Sequence, residues 1–313
     1  MGRDPLASAS VARLVFLGTP EAAVAPLRTL VDAGHDVALV VSRPDRRRGR
    51  GGGVAASPVK MAANDLGLPV TDDMAAATGV GAELGVVVAF GRIIPTALLA
   101  RLPMVNLHFS LLPRWRGAAP VERAILEGDA ETGVCLMEVA AGLDTGALYA
   151  VEATDVGEEE TAEELRARLV VLGCRLLDTH LRHGRRSLPV PHDQAGEPSY
   201  AEKILPAELE LRWEQGAEHL RRTIRLGRAW TTFRGRRLTV LRATAPDASA
   251  EGPPPPAPGG GAEIPGTLDG VDVVTGDGTR CRLVTVQPEG RRPMAADDWL
   301  RGARPAPGER LGG

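Results

Sequence analysis

Between Arg13 and Phe109, short β-branched runs alternate with amphipathic segments. That alternation restricts this part of the chain to an α/β fold, a mostly parallel sheet covered by helices on both faces. Strands are expected at Arg13–Leu17, Val37–Val41, Val86–Phe90 and Val105–Phe109, and helices near Glu21–Ala33, Val59–Leu66 and Pro120–Glu127. Ser57 followed by Pro58 is a helix start: a capping hydroxyl, then a residue with preset φ that needs no amide hydrogen. Thr161 and Glu164 make a capping box opening a long helix that reaches about His183.

Around Ser187–Ser199 the pattern dissolves into Pro, Gly and polar residues, which divides the chain into a domain over 1–187, a linker over 188–204 and a second domain over 205–313. At 313 residues and 43% hydrophobic, the chain can bury a core for each. In the second domain a helical segment near Glu208–Arg225 leads into strand-like runs at Arg237–Arg242, Val271–Val274 and Arg282–Val286, the pattern of a small OB-like β-barrel. The Pro/Gly stretch Ala248–Gly261 cannot build a core and is expected to be a mobile loop.

The net charge of −3 gives no global basicity, so a nucleic-acid partner would need a local basic surface. Cys135, Cys174 and Cys281 are scattered and odd in number, which argues against a disulfide framework and a zinc site and fits a reducing, cytoplasmic setting. The N-terminus carries no signal-peptide pattern, and the longest apolar stretch, Val86–Phe90, is too short to span a bilayer.

In Val105–Ser110 polar and apolar residues alternate, so a strand there puts Asn106, His108 and Ser110 on one face. Polar groups at the end of a strand are where open α/β sheets bind ligands. Later comes Gly142-Leu143-Asp144-Thr145-Gly146, a Gly-flanked carboxylate on a tight connection. A carboxamide, an imidazole and a carboxylate suffice to move an acyl group between two nitrogens. The imidazole takes and returns the proton, the carboxylate holds the imidazole and favours its charged form, and the carboxamide donates to the oxyanion. Taken singly, His108 also reads as a structural histidine and Asp144 as a turn former.

The run Asn106-Leu107-His108-Phe109-Ser110-Leu111-Leu112-Pro113-Arg114-Trp115-Arg116-Gly117-Ala118-Ala119-Pro120 resembles the signature of folate-dependent formyltransferases, closest to the branch acting on methionyl-tRNA. Ordered likeness also runs through Gly18-Thr19-Pro20, Arg43-Pro44-Asp45-Arg46, Gly49-Arg50-Gly51, Ser57–Lys60, Val86–Gly91, Gly142–Gly146 and Ser199–Ile204. The resemblance implies a Rossmann-like formyltransferase domain with Asn106, His108 and Asp144 as catalytic residues. It implies 10-formyltetrahydrofolate as donor, held by Val88, Ala89, Phe90, Gly91, Gly142 and Leu143, with Ser110, Leu111, Leu112 and Pro113 lining the pocket. It also implies an initiator methionyl-tRNA acceptor. No metal is called for, because the chemistry needs none and the histidines are scattered; a monomer is expected.

Arg43–Gly53 holds five arginines and four glycines, a cationic segment able to track phosphates; without a Gly-Lys-Ser/Thr ending it is not a P-loop. Arg221–Arg242 holds eight arginines and no acid, with Trp230 and Phe233 among them, and Arg221, Arg222 and Arg225 share a helix face by spacing. Under the resemblance, Arg43, Arg46, Arg50, Lys60, Arg221, Arg222, Arg225, Arg234, Arg236 and Arg237 would contact the tRNA.

Three places depart from the family pattern: a short Thr71–Gly85 segment ending on Gly85 where an aspartate is usual, Ala22-Ala23 in place of Phe-Ala, and no Asn-Pro-Trp-Pro insertion in Arg225–Trp230. Two rival readings stand beside the tRNA enzyme, a formyltransferase for a small amine and a non-catalytic RNA-binding module that keeps the fold.

Overall fold

The computed structural model describes residues 11–48, 53–245 and 263–312. The expectation for Ala248–Gly261 and the reading of Arg50 lie outside the described residues. Two compact units emerge: Met1–Val121, Glu131–Asp155 and Arg166–Glu202 in the first, Glu122–Ala130, Val156–Leu165 and Lys203–Gly313 in the second.

In the first unit β1 (Arg13–Gly18), β2 (Asp36–Val41), β3 (Val70–Thr71), β4 (Leu84–Val88) and β5 (Met104–His108) run parallel. Strands β6 (Glu131–Glu138) and β7 (Leu148–Asp155) extend the sheet antiparallel at one edge, giving the order β7-β6-β5-β4-β1-β2-β3. The central strand β4 is buried at every position, which is why its sequence is a continuous apolar run with no alternation. Gly85 sits within it, where a Cβ would lie 2.8 Å from Cγ of Met104, so the glycine makes room for its neighbour on β5.

The expected helices form, with small shifts. Glu21–Ala23 is a 3₁₀ turn that runs into α1 (Val24–Asp32). Ser57 caps α2 (Pro58–Asp65), its hydroxyl accepting from the Lys60 amide at 3.0 Å. After the one-turn α3 (Thr96–Leu99) comes α4 (Pro120–Glu127). The capping box opens α5 (Ala162–His180), with the Thr161 amide donating to Glu164 and the Glu164 amide to Thr161. The helix ends at His180, short of His183, because Arg182–Arg185 turns into a strand. The segment expected as a linker is hydrogen-bonded into the first unit: Leu148 and His192 exchange backbone bonds, and Tyr200–Ala201 pairs with Arg116–Gly117.

His35, between α1 and β2, is buried, and its Nδ1 has no partner among the described residues. Burial lowers its pKa from 6.5, against the opposing pull of Glu83 and Asp178. The unfolded chain therefore binds the proton more readily, so this residue's contribution to stability is complete above 6.5 and declines as pH falls below that value. In urea titrations at a series of acidic pH values, His35→Gln is expected to flatten the stability slope in that window; an unchanged slope would contradict this assignment.

In the second unit the sheet is antiparallel: β8 (Trp230–Phe233), β9 (Arg236–Thr244), β10 (Leu268–Asp269), β11 (Asp272–Val274), β12 (Arg280–Pro288) and β13 (Met294–Ala295), in the order β8-β9-β12-β11-β10 with β13 on β12. This is the small β unit expected from the sequence. Its core gathers Trp213, Leu220, Ile224, Leu238, Val240 and Val286, with α6 (Ala217–Arg225) and α7 (Ala296–Ala303) packed on the sheet. The helix expected from Glu208 begins instead at Ala217. Leu211 bonds to the Trp230 carbonyl, and the Asp277 carboxylate accepts from the Ala217 amide at 3.2 Å, doing the work of an N-cap that Gly216 cannot do. Among the described residues no helix is long and apolar enough to cross a membrane.

Candidate active site

Strand β5 puts Asn106 and His108 on one face, as the alternation requires, with Asn106 half-buried and His108 only 5% exposed. Ser110 falls beyond the strand end; it is fully buried, and its hydroxyl donates to the Arg114 carbonyl at 2.5 Å. The chain then turns through the cis Leu112–Pro113 bond and through Trp115, whose φ is +64°. That turn brings the Trp115 carbonyl to 2.8 Å from Nε2 of His108.

A carbonyl can only accept, so Nε2 carries the hydrogen and in the neutral ring Nδ1 is left with its lone pair. Nδ1 faces Oδ2 of Asp144 at 3.6 Å. The loop between β6 and β7 folds back to deliver that carboxylate, and Asp144 itself adopts a left-handed conformation with φ +51°. Its Oδ2 accepts from the Gly117 amide at 2.8 Å. Gly117 stands at φ +125°, where a Cβ would sit 2.8 Å from the Ala201 carbonyl oxygen, so glycine is required to aim its amide. Gly146 is held as closely, a Cβ there falling 1.9 Å from the Glu138 carbonyl oxygen.

Cys135 lies opposite His108 in the sheet and donates to the Ser110 carbonyl at 3.1 Å. Burial pushes its thiol up to about 11, so it stays protonated near neutrality and is no nucleophile. Cys135 therefore supplies no thiolate beside His108. Among the described residues no group of three His, Cys, Asp or Glu could hold a metal ion.

The loop after β4 carries the residues expected to hold a folate. Ala89 (φ +46°) and Gly91 (φ +67°) are both left-handed and exposed, at the end of a fully buried strand. Phe90 stays in the core beside Ile94, and Val139, at the start of the Asp144 loop, packs on the same cluster. Ile93 is 87% exposed and Leu143 59% exposed. Here the Phe90 carbonyl accepts from Thr19 at 3.3 Å and the Gly91 carbonyl from Arg43, and left-handed backbone beside exposed apolar side chains suits a flat heterocycle such as a pterin. Leu111 is half-buried, while Leu112 and Pro113 are buried, Leu112 packing with Cys135 and Met137.

The structure separates the basic residues into ones held by ion pairs or carbonyls and ones exposed at the surface. Arg43 donates to the Gly91 carbonyl, Lys60 pairs with Asp45 at 2.9 Å, and Arg46 stands in a short hairpin strand, Arg46–Arg48 paired with Gly53–Ala55. In the second unit, Arg221 and Arg222 both pair with Glu218, and Arg222 also donates to the Glu127 carbonyl. Arg225 donates to the carbonyls of Gly157 and Glu160 at 2.7 Å each. Arg234 bonds Glu309 and holds its carboxyl down to about 2. Arg236 and Arg237 are exposed, Arg237 stacking over Trp230 at 4.5 Å. Arg228, which the sequence reading did not single out, is exposed as well.

Two contributors to the site escape any reading by motif: the Trp115 carbonyl, which is backbone, and Gln194, an amide in a Pro/Gly-rich stretch whose side chain reaches the Asp144 loop.

A model of the formyl transferase family matches residues 12–180, and one of the formyl transferase C-terminal domain matches residues 203–304. A curated relative, the methionyl-tRNA formyltransferase of Roseobacter denitrificans, is 42% identical over 309 residues, covering 93% of this chain and 96% of the relative. Among solved structures, the N-formyltransferase from Helicobacter canadensis, in complex with folinic acid and dTDP-3-aminofucose, shares the fold at a TM-score of 0.66 and 16% identity, covering 89% of this chain and 99% of that one. The methionyl-tRNA formyltransferase from Clostridium thermocellum superposes at 0.53 with 17% identity, over 76% of this chain and 95% of that one.

Proposed function

This chain belongs to the formyl transferase family, and we propose that within it the chain moves a formyl group from 10-formyltetrahydrofolate to the amino group of methionine on initiator tRNA. The observation that carries the acceptor assignment is identity spread through both units to proteins named for that reaction, 42% over 309 residues in one case.

The formyl carbon leaves N10 of the folate and bonds to the methionine nitrogen. The attacking amine must shed a proton and the leaving nitrogen must gain one. Nδ1 of His108 receives the first and returns the second, since Nε2–H is tied to the Trp115 carbonyl. The Asp144 carboxylate, 3.6 Å away, stabilises the imidazolium while it exists. The Asn106 carboxamide, on the same strand face, donates to the oxyanion that develops on the formyl oxygen. Backbone of residues 88–91 and 142–144 binds the pterin. The chain acts as a monomer in the cytoplasm.

For the tRNA, Arg228, Arg236 and Arg237 are the arginines of the second unit best placed to meet phosphates, while Arg222 and Arg225 bond backbone carbonyls elsewhere in that unit and Arg221 pairs with Glu218 on its own helix. The KM for methionyl-tRNA is expected to rise steeply with salt. Replacing Arg236 and Arg237 together by alanine should lower the log–log salt slope by about 1 to 2 and leave folate binding unchanged. Arg225→Ala should instead lower the melting temperature with the slope intact. An acceptor KM that stays flat with salt would favour the small-amine reading.

A further inference from the structure

We propose that Gln194 is a positioning residue of the reaction, holding the Asp144 backbone so that the carboxylate faces His108; this rests on the assignment of Asp144 given above. Gln194 is half-buried in a run otherwise exposed from Pro191 to Pro198. Its Nε2 donates to the carbonyls of Asp144 at 2.8 Å and Gly146 at 2.9 Å. Its Oε1 accepts from Nε of Arg116 at 3.1 Å and from the guanidinium terminus at 2.6 Å. Both amide hydrogens and both oxygen lone pairs are thus used, and a flipped amide would set N–H against guanidinium and oxygen against two carbonyls.

The bonds close a ring through the site. Gly117, next to Arg116, holds the Asp144 carboxylate, and Gln194 holds the Asp144 carbonyl while gripping Arg116. Asp144 is therefore fixed at side chain and backbone together. An aspartate tolerates φ +51° better than most L residues but still at some cost, and the double hold offsets that cost. The strand pair Arg116–Gly117 with Tyr200–Ala201, and the Ser199 hydroxyl accepting from the Trp115 amide at 2.9 Å, anchor the segment that presents Gln194. The Pro/Gly-rich stretch 187–199 of the first unit is thereby part of the active-site scaffold.

The test is a double-mutant cycle on the full-length enzyme, combining Gln194→Ala with Asp144→Asn and reading kcat, the KM for methionyl-tRNA and the melting temperature. Gln194→Ala is expected to lower kcat by about 10- to 100-fold with the acceptor KM within about two-fold. In the Asp144→Asn background, where no charge is left to place, the same change should have little further effect on kcat. A merely structural glutamine would lower kcat equally in both backgrounds, in step with the melting temperature. That result, or wild-type kcat for Gln194→Ala, overturns the proposal. If Asp144→Asn alone left kcat unchanged, the assignment of Asp144 would fail first and this one with it. Should Gln194→Ala not fold, Gln194→Glu completes the same cycle, keeping the bond to Arg116 and losing both donors to the loop.

Discussion

His108→Ala is expected to cut turnover by about two to four orders of magnitude while folate binding persists. The imidazole presents Nδ1 to the site carboxylate at 3.6 Å, and the neighbouring thiol is held protonated by burial. Alanine also leaves the Trp115 carbonyl without its bond, so a loss of about 1 to 3 kcal/mol in stability should accompany the change. Turnover measured well below the melting temperature, with folate binding followed by fluorescence, separates the two effects. Near-normal turnover in a folded variant would remove His108 from the mechanism.

Asp144→Asn should lower kcat by about two orders of magnitude, equivalent to about 2.7 kcal/mol of transition-state stabilisation. Asparagine is the informative replacement because it tolerates the left-handed backbone and can still accept from the Gly117 amide. Only the charge beside Nδ1 is lost. Asp144→Ala would mix that loss with strain at φ +51°. If the asparagine variant, with an unaltered melting temperature, kept most of its turnover, the carboxylate would be a turn former, the other reading its Gly-flanked setting allows.

Local pattern carried the sequence reading where local chemistry decides the outcome. Alternation along Val105–Ser110 placed Asn106 and His108 on one face, and Ser57 and Thr161 announced their helices because a cap is satisfied within three residues. Non-local partners were invisible. The start of α6 is set by Asp277, sixty residues downstream, and the spacing of Arg221, Arg222 and Arg225 gave no hint of their bonds to Glu218, Glu127, Gly157 and Glu160. Strand β6 was missed because its buried interior, Thr132-Gly133-Val134-Cys135-Leu136-Met137, shows no two-residue period and lacks the run of valines that marks β4.

The site shows the same division. That His108 and Asp144 stand together, 3.6 Å apart, was expected from the resemblance of their two segments to the family signature. The tautomer of His108 was not, since it is fixed by a backbone carbonyl that arrives only once Trp115 takes a positive φ. Nor was the grip of Gln194 on Asp144, fifty residues apart in sequence and drawn together by the pairing of Tyr200–Ala201 with Arg116–Gly117.

The most direct test of the central claim is transfer of labelled formyl from 10-formyltetrahydrofolate to initiator tRNA charged with methionine, with uncharged tRNA and free methionine as controls. Label on the charged tRNA alone is the expected result. Absence of transfer by an enzyme that still binds the folate would contradict the acceptor assignment and leave a small amine in its place.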